Sequence, residues 1–323
     1  MTQMPIPDRS ELRIGVSACL LGEEVRFDGG HKLDHFLVDT LGRFVEFVDV
    51  CPEVGIGLGT PRETLRLVRL GERVHMVGNK SGADHTDEMR RWSEHKVGEL
   101  EKLDLSGYVL KKDSPSCGMQ RVRVYEENGI PSKDGAGIFA AVLQARMPLL
   151  PVEEEGRLRD AKLRENFIER VFAYRMVQSL FTGRWTVGQL VAFHSRVKLL
   201  VLAHDTVAYQ ALGKLVAAAK GMDRAELAAE YRRLFMEALG KHATPARHVN
   251  VLQHMMGYFK KILDGDAKRE VEQVIADYRA GLVPLVVPIT LVRHYVRLHK
   301  IDYLAGQLYL EPSPKELALR NHV

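Results

Sequence analysis

The sequence predicts an α/β domain followed by an all-α domain, and three observations carry that reading. Short apolar runs alternate with helical patterns up to about residue 148, strand patterns almost vanish after it, and the charge changes sign between the two parts. The first 148 residues carry 20 Lys and Arg against 23 Asp and Glu, and the remainder carries 26 against 19. At roughly 100–200 residues per domain, 323 residues make two domains. The break falls at MPLLPVEEEG (147–156), where two prolines and an acidic triplet follow a helical stretch. The predicted domains are therefore 1–150 and 151–323.

In the first part, residues 12–18, 44–50, 74–77 and 108–110 are rich in Val, Ile, Leu and Phe and read as strands. Residues 32–41 and 84–103 between them carry helix-type charge and spacing, and 135–147 reads as a closing helix. Strands alternating with helices imply βαβ crossovers and a mainly parallel sheet, a Rossmann-like arrangement. In the second part Leu163, Phe167, Val171, Tyr174, Val177 and Phe181 recur at three- and four-residue steps, one face of a helix. Similar periodicity over 190–202, 207–219, 224–239, 247–263, 271–278 and 291–300 predicts six or seven helices, with Pro284 and Pro288 ahead of the last.

Composition narrows the classes of function. With 46% hydrophobic and 27% charged residues the chain is an ordinary globular protein. No run of 18 apolar residues exists, and the start MTQMPIPDRSELR lacks a leader's apolar core, so neither membrane spanning nor export is expected. Three cysteines are too few for a disulfide framework, which points to the reducing cytoplasm.

The cysteines occupy similar settings. Cys19 follows the first strand in SAC, Cys51 follows the second in CPE, and Cys117 lies in SPSCG beyond a later strand. Ligands of parallel α/β sheets bind outside the carboxyl ends of the strands, so three thiols 32 and 66 residues apart are expected to meet on one rim. Their residue types leave four roles open: buried small hydrophobes, a zinc site completed by histidine, a lone nucleophile, or an iron–sulfur cluster with one iron lacking a protein ligand. Glu53 lies two residues from Cys51 and reads either as an acid or base or as a carboxylate in a helix first turn. Ser114 and Ser116 read as site hydroxyls or loop caps, and Lys111 and Lys112 as contacts for a substrate phosphate or, in preference, as a solvated strand end.

SACLLG (17–22), VRFDGGHK (25–32), CPE (51–53), SPSCG (114–118) and GAGIFA (135–140) together resemble the thiouracil desulfidase family over residues 12–148. The resemblance implies a Rossmann-like domain whose [4Fe–4S] cluster is held by Cys19, Cys51 and Cys117. It also implies Glu53 and Ser114 as catalytic residues, and replacement of a thiocarbonyl sulfur by water oxygen without net redox change. Arg26 and Asp28 match the family's loop. No nucleotide cofactor is expected.

FHSRVKLLVLAHD (193–205), RHVNVLQHMMGYFKKIL (247–263), GLVPLVVPITLVRHY (281–295) and the terminal LALRN resemble the YbgA-type helical domain over residues 160–323. In such fusions the implied substrate is 4-thiouridine in tRNA. The residues expected to meet RNA are Arg196, Lys198, Arg247, His248, Lys260 and Lys261, with Arg293 and Arg297 extending the basic set and His194, His254 and Tyr258 interleaved. His248 and His254, six apart, do not share a helix face as a metal pair would. The sequence-level expectation is a cytoplasmic tRNA 4-thiouridine desulfidase. Two alternatives stand beside it: desulfuration of free thiouracil or thionucleosides, and a non-catalytic metal-bearing RNA-binding or regulatory protein.

Overall fold

The computed structural model describes residues 7–126, 129–317 and 319–322. Residues 1–6, read above for the absence of a leader, and Ala318 of LALRN lie outside the described residues. The chain forms two compact units, one spanning Pro7–Asp160 and the other built on Ala161–Val323.

The first unit is mixed α/β. Its strands are β1 (Arg13–Ser17), β2 (Glu46–Val50), β3 (Leu65–Leu70), β4 (Arg73–Gly78), β5 (Leu105–Leu110), β6 (Val122–Tyr125), β7 (Pro131–Gly135) and β8 (Val152–Glu154). Strands β2-β1-β5-β8 form one sheet, and every pairing in it is parallel. β5 is buried at every position and β1 at all but its first residue, as expected of strands covered on both faces. A second sheet, β4-β3-β6-β7, is mixed, with antiparallel outer pairs around a parallel β3–β6 contact.

The helices of this unit are α1 (Pro52–Gly55), α2 (Thr86–Leu100) and α3 (Ile138–Arg146). Phe139 of α3 meets Trp92 of α2 and Tyr108 of β5 at ring separations of 6.0 and 5.8 Å. Gly15 of β1 makes room for Tyr108, since a Cβ there would lie 2.2 Å from the ring. The helix expected over 32–41 is instead a π turn (Phe36–Thr40) and a 3-10 turn (Leu41–Arg43). Its first residues are drawn away by tertiary bonds: the amides of Lys32 and Asp34 donate to the carbonyls of Cys19 and Leu20 at 2.8 and 2.9 Å.

The second unit is helical: α4 (Ala161–Leu180), α5 (Val187–His204), α6 (Thr206–Ala218), α7 (Arg224–Gly240), α8 (Pro245–Met256), α9 (Gly265–Arg279), α10 (Val286–Leu298) and the short α11 (Asp302–Ala305). Side-chain caps start five of them, from Thr186, Asp205, Asp223, Thr244 and Asp264. Pro288 falls inside the first turn of α10, where a missing N–H is tolerated, so the helix begins before it. Phe167, Phe172, Phe193, Tyr231 and Phe235 are buried in this unit, and the rings of the last three meet one another. The predicted boundary at 150/151 precedes β8, whereas the first unit runs on to Asp160. Glu153, Glu154 and Glu155 are buried rather than solvated, because each has its own partner inside the fold.

Candidate active site

All three cysteines lie past the carboxyl ends of strands in the parallel sheet. Cys19 sits in the turn that follows β1, and Cys51 is the N-cap residue of α1 directly after β2. Pro52 at the first helical position pre-sets the turn that carries Glu53. Cys117 lies in the loop after β5. The chain leaves β1 toward β2 on one side and β5 on the other, so the rim above β1 is the point where strand order reverses.

The three thiols line one cavity of about 340 Å³ together with Glu53, Ser114, Ser116 and Arg62. That volume lies in the range of small-ligand sites, roughly 300–1,000 Å³. Five lysine and arginine side chains line it against two carboxylates. Burial pushes the Cys19 thiol up to about 11, against the pull of Lys111 and Arg26. It pushes the Cys117 thiol up to about 12 and also raises that of Cys51. All three are free thiols. Among the described residues no three His, Cys, Asp or Glu side chains gather closely enough to hold a single metal ion.

Glu53 is clamped on both oxygens. Its Oε2 accepts from Arg62 Nε at 2.9 Å and Nη2 at 2.5 Å, and its Oε1 accepts from Ser116 Oγ at 2.8 Å. Arg62 is itself fixed by the carbonyls of Val25 and Gly59. Ser114 Oγ lies 2.9 Å from Ser116 Oγ and accepts from the amide of Cys117 at 3.1 Å. Ser116 therefore touches Glu53 directly, and Ser114 reaches it through Ser116 while bracing the loop.

The cysteine loop is gripped by the start of α3. The amides of Gly137, Ile138 and Ala140 donate to the carbonyls of Gly118, Pro115 and Ser116 at 2.8, 3.1 and 3.2 Å. A Cβ on Gly137 would lie 2.4 Å from Ser116 backbone atoms, so the second glycine of GAGIFA permits this approach.

Lys111 is not a solvated strand end. Its ammonium pairs with Glu155 Oε1 at 2.5 Å, and the other Glu155 oxygen accepts from the Lys112 amide at 2.8 Å. Glu154 takes the Met119 amide and Glu153 takes Arg157. Arg26 and Asp28 brace the loop between Cys19 and Cys51: Asp28 accepts from the Gly30 amide at 3.1 Å, with Arg26 Nε 3.5 Å from the same oxygen. Sequence reasoning missed Arg62 and Glu155. The first lies in a Gly/Pro-rich loop without periodicity, and the second in a charge run that imitates a linker.

Comparison with known proteins bears on both units. The sequence model of the family described as 2-thiouracil desulfurase matches residues 14–155, and that of the protein of unknown function DUF1722 matches residues 198–314. The uncharacterized protein YbgA of Escherichia coli (strain K12) is 34% identical over 153 residues, covering 47% of this chain and 90% of that protein. The uncharacterized protein YbbK of Bacillus subtilis (strain 168) is 29% identical over 134 residues, covering 40% of this chain and 87% of that protein. A solved structure titled [4Fe-4S]-dependent thiouracil desulfidase TudS shares 36% identity, covers 46% of this chain and 94% of its own, and gives a TM-score of 0.37. The chain is a thiouracil desulfidase domain fused to a YbgA-type domain.

In the YbgA-type domain the residues expected to meet RNA divide by exposure. Lys260 and Lys261 are exposed, and Arg196, Lys198 and Arg247 are half-buried. Arg247 donates to the carbonyl of His204, and Arg196 to that of Gly306 at 3.4 Å. His248 does not belong to such a surface. It is buried, its Nδ1 lies 2.9 Å from the Tyr309 hydroxyl, and burial pushes its pKa down to about 3. His194 is likewise buried, against Tyr231. Both occupy inward positions of apolar helix faces, which the alternation of basic and aromatic residues did not separate from outward ones.

Proposed function

We propose that this chain is a [4Fe–4S]-dependent desulfidase that converts 4-thiouridine in tRNA to uridine. The overall change replaces C=S by C=O, consumes one water and releases hydrogen sulfide, with no electron transfer. The observation that carries this reading is the meeting of Cys19, Cys51, Cys117 and Glu53 in one cavity at the rim of the parallel sheet. Three thiols are soft donors suited to iron–sulfur ligation, and Lys111, Arg26 and Arg62 lie near enough to offset the charge of their thiolates. When bound, the group supplies a thiophilic Lewis acid with one position open to a thiocarbonyl sulfur.

The chain's own residues supply the rest. Glu53, positioned by Arg62 and Ser116, takes the proton of the attacking water at a carboxylate oxygen and returns one to the leaving sulfur. Ser114 and Ser116 link Glu53 to the cysteine loop and fix its rotamer. The YbgA-type domain holds the RNA through Lys198, Arg247, Lys260, Lys261 and Arg196, and that grip favours extrusion of the modified base from its stack. The reading places the protein in the cytoplasm, where free thiols persist. Among the described residues, no helix is long and apolar enough to cross a membrane.

The second reading is desulfuration of free thiobases, which the description of the matching family favours. Anaerobic reconstitution, iron and sulfide analysis, and incubation with 4-thiouridine-containing tRNA or with free thiouracil separate the two. Loss of thiouridine absorbance with sulfide release, abolished in Cys117→Ala, is the expected result. Turnover of free thiouracil with tRNA untouched would establish the second reading, and a loaded protein inert toward both would overturn each.

A further inference from the structure

We propose that Tyr258, stacked on Tyr303 beside Lys198, is a platform on which the helical unit takes an unpaired nucleobase of RNA. This rests on the reading that the unit binds RNA, and it names where and in what form.

Tyr258 is 46% exposed and is the only exposed Phe, Tyr or Trp side chain among the described residues. It lies in the turn Gly257–Phe259 that closes α8, and its neighbour Phe259 is fully buried. One ring thus anchors the turn in the core while the next is presented to solvent. The presented ring is also held in place. Tyr258 and Tyr303 of α11 stack with centroids 5.0 Å apart and planes 17° from parallel. Lys198 of α5 places its ammonium 5.1 Å from the Tyr303 centroid. An aromatic surface already ordered by its neighbours loses little side-chain freedom when a ligand stacks on it.

The charge around this ring suits a polyanion. Lys260 and Lys261 follow it directly and are exposed. The nearest acids along the chain are already engaged, Asp264 as the cap of α9 and Asp266 with Arg269. Gly257 and Lys260, which bracket Tyr258, line a cleft of about 420 Å³ that also carries Lys268 and Arg279, against one carboxylate, Glu272. An exposed ring flanked by lysines, with a cationic cleft beginning at its neighbours, is the arrangement that stacks a base and takes its phosphates. A base inside a duplex hides its faces, so the platform selects unpaired nucleotides.

The test uses the full chain and two RNA probes, an oligouridylate of about twelve nucleotides and a duplex of similar length. Affinity is read by fluorescence anisotropy across a salt series. Tyr258→Ala is expected to weaken the single strand roughly tenfold, leave the duplex within about twofold, and keep the salt slope unchanged, since no phosphate contact is lost. Tyr258→Phe keeps the ring and stays near wild type. Tyr258→Trp binds at least as well, and its fluorescence is quenched as the single strand binds. Lys198→Gln lowers the salt slope. Wild-type affinity in Tyr258→Ala, with RNA still bound, overturns the platform and leaves RNA binding standing. Failure of the wild-type chain to bind either probe overturns RNA binding itself, and the platform with it. A wild-type dimer that Tyr258→Ala dissociates in sedimentation would assign the ring to a protein contact and overturn the inference.

Discussion

Glu53 shows how one side chain acquires a role from neighbours that the sequence hides. Its position two residues past Cys51 is legible, because a carboxylate in a Cys-Pro-Glu turn sits on the same short helix as the thiol. Its orientation is not legible, because that depends on Arg62, nine residues away in an irregular loop, and on Ser116, sixty-three residues away. Spacing alone cannot tell which hydroxyl of SPSCG turns inward, whereas the amides of Ser116 and Cys117, which donate to Ser114 Oγ, decide it. Glu53→Gln keeps the shape of the cavity and removes the acid–base function. We expect turnover to fall by about 10²–10⁴ with iron content unchanged. Equal loss of iron and turnover in that variant would make Glu53 a structural residue instead.

At the scale of the element, the start of α3 and the end of the chain each fix something remote. Gly137→Ala forces a Cβ against the backbone of Ser116. We expect a stability loss of about 1–3 kcal/mol in urea titrations, together with reduced iron uptake on reconstitution. In the helical unit, buried Arg320 bridges two carboxylates of α4, Glu165 at 3.2 Å and Glu169 at 3.0 Å, and donates to the Tyr309 carbonyl. Glu169 also takes His204 at 2.6 Å. Arg320→Ala removes the cation the two carboxylates share, leaving Glu169 with His204 and Glu165 with His322, and should cost about 3–5 kcal/mol in urea unfolding. The helices themselves were legible because five begin with side-chain caps and most keep an apolar stripe. β3, β6, β7 and β8 are not legible, since charged residues interrupt the apolar pattern in each (LRLVRL, VRVY, PSKDG and VEE), and 32–41 reads as helical although its amides bond to the Cys19 turn.

Over the whole molecule, the Glu165–Glu169–His204–Arg320 group is one contributor to how stability depends on pH. Burial, opposed by Arg320, pushes the Glu165 carboxyl up to about 7. The folded chain therefore keeps a proton that the unfolded chain releases near 4.5, and stability falls as pH rises through that interval. Burial works against the imidazolium of His204, but Glu169 outweighs it and raises the pKa. Stability from His204 is complete below its ordinary value and is lost as pH climbs past the raised one. Burial also works against ionised Glu169, yet His204 and then Arg320 hold it down at about 2, so its contribution disappears only in strong acid. Buried His248 and His194, held down at about 3 and about 4, work in the opposite sense and add stability as pH rises toward 6.5, so the share owed to Glu165 is read as the difference in melting temperature between wild type and Glu165→Gln, which should change as pH rises from about 4.5 to 7.

The acidic triplet at residues 153–155 decides where the protein can be cut in two. A sequence reader would separate the halves at the prolines of MPLLPVEEEG and ask whether the front half still works. Such a cut deletes the outermost strand of the parallel sheet and leaves Lys111 without its counter-ion at the mouth of the thiol cavity. The fragment would fail for want of its own last strand, and the failure would be credited to the missing helices. Dissection that keeps everything through Asp160 removes this ambiguity, and only then does the difference between fragment and full chain measure what the back half contributes.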